Sequence, residues 1–133
     1  MTVDTQTALE QAYGLVKQHE ASLTSVAQSP YRVERDIFGD LLADTRNMAH
    51  ELEALLSDKG IVLSGIRIPT LPGLVTPRVL SDQRDAIEKA FAAAISETPA
   101  GAPSQDCLQG QYERFTRSGQ KLEVLCAAVV SDQ

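Results

Sequence analysis

The chain has 133 residues, 43% of them hydrophobic and 23% charged, with no tryptophan. That length fits one domain, which buries roughly 65–70% of its unfolded surface and so needs no disulfide or metal staple. Eighteen Asp plus Glu against twelve Lys plus Arg leave a net charge of −6 with no basic cluster, which argues against nucleic acid and anionic membranes as partners because both attract positive charge.

The opening residues Met1-Thr2-Val3-Asp4-Thr5 have neither a basic stretch nor an apolar run, so no secretory signal is expected. A first helix is predicted over about residues 4–28, with Asp4 as N-cap. Its apolar positions Leu9, Ala12, Tyr13, Val16, Leu23 and Ala27 recur at spacings of three and four. Ser29-Pro30 supplies an N-cap and a first-turn proline for a second helix, about residues 31–59, with Ile37, Phe38, Leu41, Met48, Leu52, Leu55 and Leu56 on one face. Gly60 reads as its stop.

Residues 60–77 break the pattern. Ile61 to Ile68 is apolar and β-branched, and Pro69, Pro72, Gly73 and Pro77 follow. Prolines at that density forbid a continuous helix. A strand over 61–68 has no visible partner, so an ordered linker laid over the helices is the expectation. A third helix, about residues 78–97, starts near Thr76-Pro77 or Ser81 and carries Leu80, Ile87, Ala90, Phe91 and Ala94. The run Thr98-Pro99-Ala100-Gly101-Ala102-Pro103 is a turn. Ser104 then caps a fourth helix, about residues 104–131, with Leu108, Tyr112, Phe115, Leu122, Cys126 and Val129 along its stripe.

Short loops make helices 1–2 and 3–4 antiparallel hairpins. The middle connection, near 18 residues, can stretch about 60 Å, whereas the second helix is about 40 Å long. It can return the chain along the whole bundle. The expected fold is an all-α, antiparallel four-helix bundle, up-down-down-up, with one long crossover and a single domain over 1–133.

Angular placement then sorts the polar groups at about 100° per residue. On the second helix, His50 and Asn47 project to solvent, opposite the face centred near Leu52 and Thr45. On the first, His19 and Glu20 fall within about 40° and 60° of the apolar face. A carboxylate at Glu20 should be partly desolvated unless a partner holds it, which makes the pair a place to look for function. The alternative is a boundary pair whose stems cover apolar surface while the tips reach water or a tyrosine hydroxyl. Glu88 lies at the margin of the third helix's stripe, Glu123 lies off the fourth's, and Glu113 faces away. Gln111 and Gly119 face inward, as does Cys126, read as a small core hydrophobe. Cys107, in the fourth helix's first turn, is expected to have a lowered pKa. If both cysteines lie on that helix, 19 residues hold them roughly 28 Å apart, far beyond disulfide reach. Two cysteines and no membrane-length apolar run make a bacterial-type cytoplasm the expected location.

The layout resembles the ferritin-like four-helix bundles, through Phe38–Leu52–Gly60 on the second helix and the pair Asp85-Ala86-Ile87-Glu88-Lys89-Ala90-Phe91 and Gln111-Tyr112-Glu113-Arg114-Phe115. The resemblance covers nearly the whole chain at the level of pattern. Di-iron members place Glu on two helices and Glu-x-x-His on the other two, all inward. Here Asn47-Met48-Ala49-His50 keeps the spacing without the carboxylate, and Glu113-Arg114-Phe115-Thr116 has no histidine. Only Glu20 and Glu88 match single-Glu positions. The resemblance therefore implies the fold without the ligand set, and no cofactor is expected.

Gly-rich phosphate loops, Cys-x-x-Cys, His-Glu-x-x-His and Gly-x-Ser-x-Gly are all missing. The favoured reading is a non-catalytic bundle acting through protein association, as a homodimer or on another protein. The apolar crossover residues Ile66, Ile68, Leu71, Leu74 and Val75 would form the surface. Two alternatives remain. One is a degenerate ferritin-like metal binder or oxidoreductase using His19, Glu20 and Glu88. The other is phosphotransfer on His50, which resembles the exposed mid-helix histidine of phosphotransfer domains but is followed by the repelling acids Glu51 and Glu53.

Overall fold

The computed structural model describes residues 5–27, 32–71, 73–98, 101 and 103–131. Four helices, α1 (Thr5–Val26), α2 (Arg32–Asp58), α3 (Pro77–Glu97) and α4 (Pro103–Ser131), make an all-α protein, and no strand occurs among the described residues. Among those residues no helix is long and apolar enough to cross a membrane. The caps expected at Asp4 and Ser29, with Pro30, Pro99 and Ala100, lie outside the described residues, as do the side chains of Ser104, Cys126 and Val129.

Local chemistry sets the two described ends that frame the crossover. At the end of α2, Gly60 takes φ +76°, a left-handed conformation that costs a residue without Cβ nothing. It donates its N–H to the Ser57 carbonyl at 3.0 Å, and Ile61 donates to the Leu56 carbonyl at 3.0 Å, the paired bonds of a Schellman stop. Ile61 then turns inward against the core. At the start of α3, the Thr76 hydroxyl accepts from the Val79 N–H at 3.1 Å and Pro77 opens the helix. Of the two starts considered, the chain therefore uses Thr76-Pro77, because that proline's missing N–H has no partner to lose there.

Between these ends, residues 61–68 form neither a strand nor a featureless linker. A single 3-10 turn, Leu63–Gly65, tucks Ile61, Leu63 and Ile66 onto the helices. The segment is pinned beside α1 as well. Gly14 is buried against the Arg67 backbone so closely that a Cβ there would sit 2.5 Å from the carbonyl oxygen, and Gln18 donates Nε2 to the Thr70 carbonyl at 2.9 Å.

α1 packs on α2 and α3, and α4 packs on the same two helices. Two apolar clusters fill the interior. The larger is built around Leu9, Val16, Leu52, Ile87, Phe91 and Leu108. The smaller contains Leu23, Phe38, Leu41, Leu42, Leu80 and Leu122. Each fully buried leucine contributes roughly 1.5–3 kcal/mol of transfer free energy. Polar residues stand between the clusters on every helix: His19 and Ser22, Thr45, Arg84, and the half-buried Ser118, which is followed by Gly119.

Candidate functional site

This polar layer follows from register. On α3 the stripe runs Leu80, Arg84, Ile87, Phe91, Ala94, with all five buried. Arg84 stands four residues after Leu80 and three before Ile87, so the helix has no means of turning it outward. The residue is 4% exposed. Nη2 donates to the Phe115 carbonyl at 2.5 Å and to the Ser118 hydroxyl at 2.9 Å, and the planar group lies 3.7 Å above the centre of the Phe115 ring. Gly119 allows this approach, since a Cβ there would lie 3.1 Å from Nε. Burial pushes Arg84 down to about 10, opposed by the fields of Glu88, Asp44 and Glu123; it remains a cation at neutral pH. Nη1 is buried without a partner.

His19 is fully buried beside it. Its Nδ1 lies 2.9 Å from Gln83 Oε1, and Gln83 donates Nε2 to the Ser22 hydroxyl at 2.9 Å. With the glutamine amide spent on Ser22, its oxygen must accept, so the imidazole proton sits on Nδ1. Nε2 is then a bare acceptor, buried with no partner, and the ring meets Phe115 edge-on with centroids 6.2 Å apart. Burial lowers His19 to about 4; Gln83 opposes the shift and the Arg84 cation adds to it. A buried polar atom left without a bond costs roughly 1–3 kcal/mol, a cost this layer carries at His19 Nε2 and Arg84 Nη1.

The neighbouring residue Glu20 faces elsewhere. Lys17 holds one of its oxygens at 2.8 Å and Arg46 of α2 approaches the other at 3.6 Å, whereas His19 turns toward α3. The structure does not bring His19 and Glu20 together. Glu88 is half-buried on α3, and among the described residues no three His, Cys, Asp or Glu side chains gather closely enough to hold a metal ion. Tyr13 meets Glu53 rather than Glu20, donating its hydroxyl at 2.9 Å; burial, then that carboxylate, pushes the phenol up to about 12. Cys107 corrects an expectation: burial, then the Glu51 charge, raises its thiol rather than lowering it. The field of a helix N-terminus is outweighed there by lost hydration.

Two surfaces remain. Of the nominated crossover residues, Ile66 and Val75 are half-buried and pack on the core. Ile68, Leu71 and Leu74 are 48%, 52% and 75% exposed, joined by Val62 at 70%. The second surface is an open groove of about 550 Å³ between α2 and α4. Met48 and Phe115 supply apolar wall, and Asp44, Glu51, Arg114 and Arg117 supply charge. Gln111, 1% exposed, donates Nε2 to Glu51 at 2.6 Å, and Arg114 holds the same carboxylate at 3.0 Å. His50 also borders this groove; its side chain is 77% exposed and lies 3.6 Å from Glu53.

Arg84, Gln83 and the groove are absent from the sequence reading. Arg84 had a legible signal, its position on the stripe; Gln83 and the groove had none. No protein-family model, curated protein or solved structure matches the chain.

Proposed function

We propose that this chain is a non-catalytic helical bundle that acts through protein association, with a second copy docking on the crossover. One observation carries the reading: Val62, Ile68, Leu71 and Leu74 are 48–75% exposed on a segment that is itself anchored. The Gly14–Arg67 contact and the Gln18–Thr70 hydrogen bond hold it in place, so docking costs little ordering entropy. In a two-fold interface each side chain counts twice. Burying a leucine side chain fully supplies roughly 1.5–3 kcal/mol, enough in sum to offset the loss of translational and rotational freedom.

Within this reading the bundle is ferritin-like, up-down-down-up. The pairs Tyr13–Glu53 and Glu20–Arg46 support antiparallel α1 and α2, and Glu51–Gln111, with Phe38 and Leu122 in one cluster, supports antiparallel α2 and α4. Sedimentation velocity tests the association. The wild-type chain should sediment as a dimer and Leu71→Asp/Leu74→Asp as a monomer with unchanged helicity; a wild-type monomer at every concentration refutes the reading. One observation favours a second reading, a degenerate metal site: the unpartnered His19 Nε2. Metal analysis of tag-free protein tests it, and sub-stoichiometric iron, manganese and zinc would end it.

A further inference from the structure

The groove between α2 and α4 balances two arginines against two carboxylates in a chain that is acidic as a whole. The chain has a net charge of −6, yet Arg114 and Arg117 line this groove and Arg84 lies directly behind it, bonded to its wall residues Phe115 and Ser118. Two carboxylates face them. Glu51 is taken up by Arg114 and Gln111, while Asp44 has no ion pair among the described residues. Arg117 likewise has no carboxylate within ion-pair distance among those residues. Arg84 keeps one guanidinium nitrogen buried without a partner. A cation fixed in a low-dielectric interior acts on a neighbouring groove far more strongly than one in water.

We propose that this groove binds a small amphipathic organic carboxylate, its apolar body against Met48 and Phe115 and its carboxylate beside Arg117, in front of Arg84. The volume of about 550 Å³ lies within the roughly 300–1,000 Å³ of small-molecule sites. Met48 and Phe115 give the groove an apolar wall, and the other eight lining residues are polar or charged, so an occupant must offer polar as well as apolar surface. Asp44 sets the second requirement. Its charge disfavours dianions such as phosphate, and as an acceptor it favours a ligand bearing a hydroxyl or amino donor. Because Arg117 and Asp44 stand on different helices, the ligand bridges α2 and α4. The site shares no residue with the crossover surface, so binding here and association there succeed or fail separately.

The test is a titration of the labelled full chain with 4-hydroxyphenylacetate, followed by amide chemical shifts. Controls are the neutral isostere 4-hydroxyphenylethanol, inorganic phosphate, and Arg117→Gln, an exposed position whose substitution leaves the core untouched. Shifts should be confined to residues 44–51 and 111–118. The alcohol should bind at least about tenfold more weakly, and so should the carboxylate to Arg117→Gln, as expected for one charge-assisted contact. Absence of groove shifts, equal binding of the alcohol, stronger binding of phosphate, or indifference to Arg117→Gln would each overturn the proposal.

Discussion

Between about pH 7.5 and pH 4.5 the imidazoles of the unfolded chain take up protons while His19 in the folded chain stays neutral. Its pKa falls from 6.5 to about 4 because the ring is desolvated and faces the Arg84 cation, with only Gln83 bonded to Nδ1. For a base depressed in the folded state, the unfolded state binds more protons throughout the window from 4 to 6.5. Stability therefore rises with pH across that window, is flat above it, and has fallen by the full amount below it. The full loss is about 3 kcal/mol, of which about 2.5 kcal/mol is realised at pH 4.5. Other groups contribute to the pH dependence, so the comparison is with His19→Gln, which keeps a polar group near Gln83 but carries no proton. Urea unfolding at the two pH values should show the wild type losing about 2.5 kcal/mol more than the variant. Equal losses in the two proteins, or a resolved His19 imidazole titrating near 6.5, would refute the claim that this ring is dry and unpartnered on Nε2.

Arg84 offers a second check. Arg84→Met fills similar volume without burying a charge and should be neutral or stabilising by about 1–3 kcal/mol. Arg84→Ala opens a cavity over Phe115 and should cost about 3 kcal/mol; denaturant midpoints distinguish the two. Gly14→Ala would gain roughly 1 kcal/mol if helix propensity alone mattered. The 2.5 Å approach to the Arg67 carbonyl instead predicts a net loss of about 1–3 kcal/mol with faster proteolysis in the crossover.

The placements legible in advance were those that depend on one helix at a time. Spacings of three and four locate four rods, and rotation about a single axis puts His19 inside, His50 outside and Gln111 against the core, because a rigid helix fixes the direction of each side chain relative to its own stripe. The same rule reaches Arg84, whose interval from Leu80 and Ile87 is that of a buried position despite the acids flanking it. Gly60 was legible for a related reason, since a helix end is satisfied within a few residues, whereas the structure chose Thr76-Pro77 over Ser81 as the start of α3.

Whatever needs two elements at once was decided by the tertiary structure. Glu20 falls near the apolar face of α1; Lys17 of its own helix holds one oxygen, but the other meets Arg46 only because α2 packs there. Cys107 follows a helix start, yet burial and the facing Glu51 reverse the effect of that position. The groove lies between α2 and α4, lined by Asp44 and Met48 from one and by Phe115 and Arg117 from the other, so neither helix alone encodes it. Periodicity is a property of one helix, while ion pairing, desolvation and cavities depend on distances between helices. The chain's order of residues determined which side chains turn inward; packing alone determined what each of them meets.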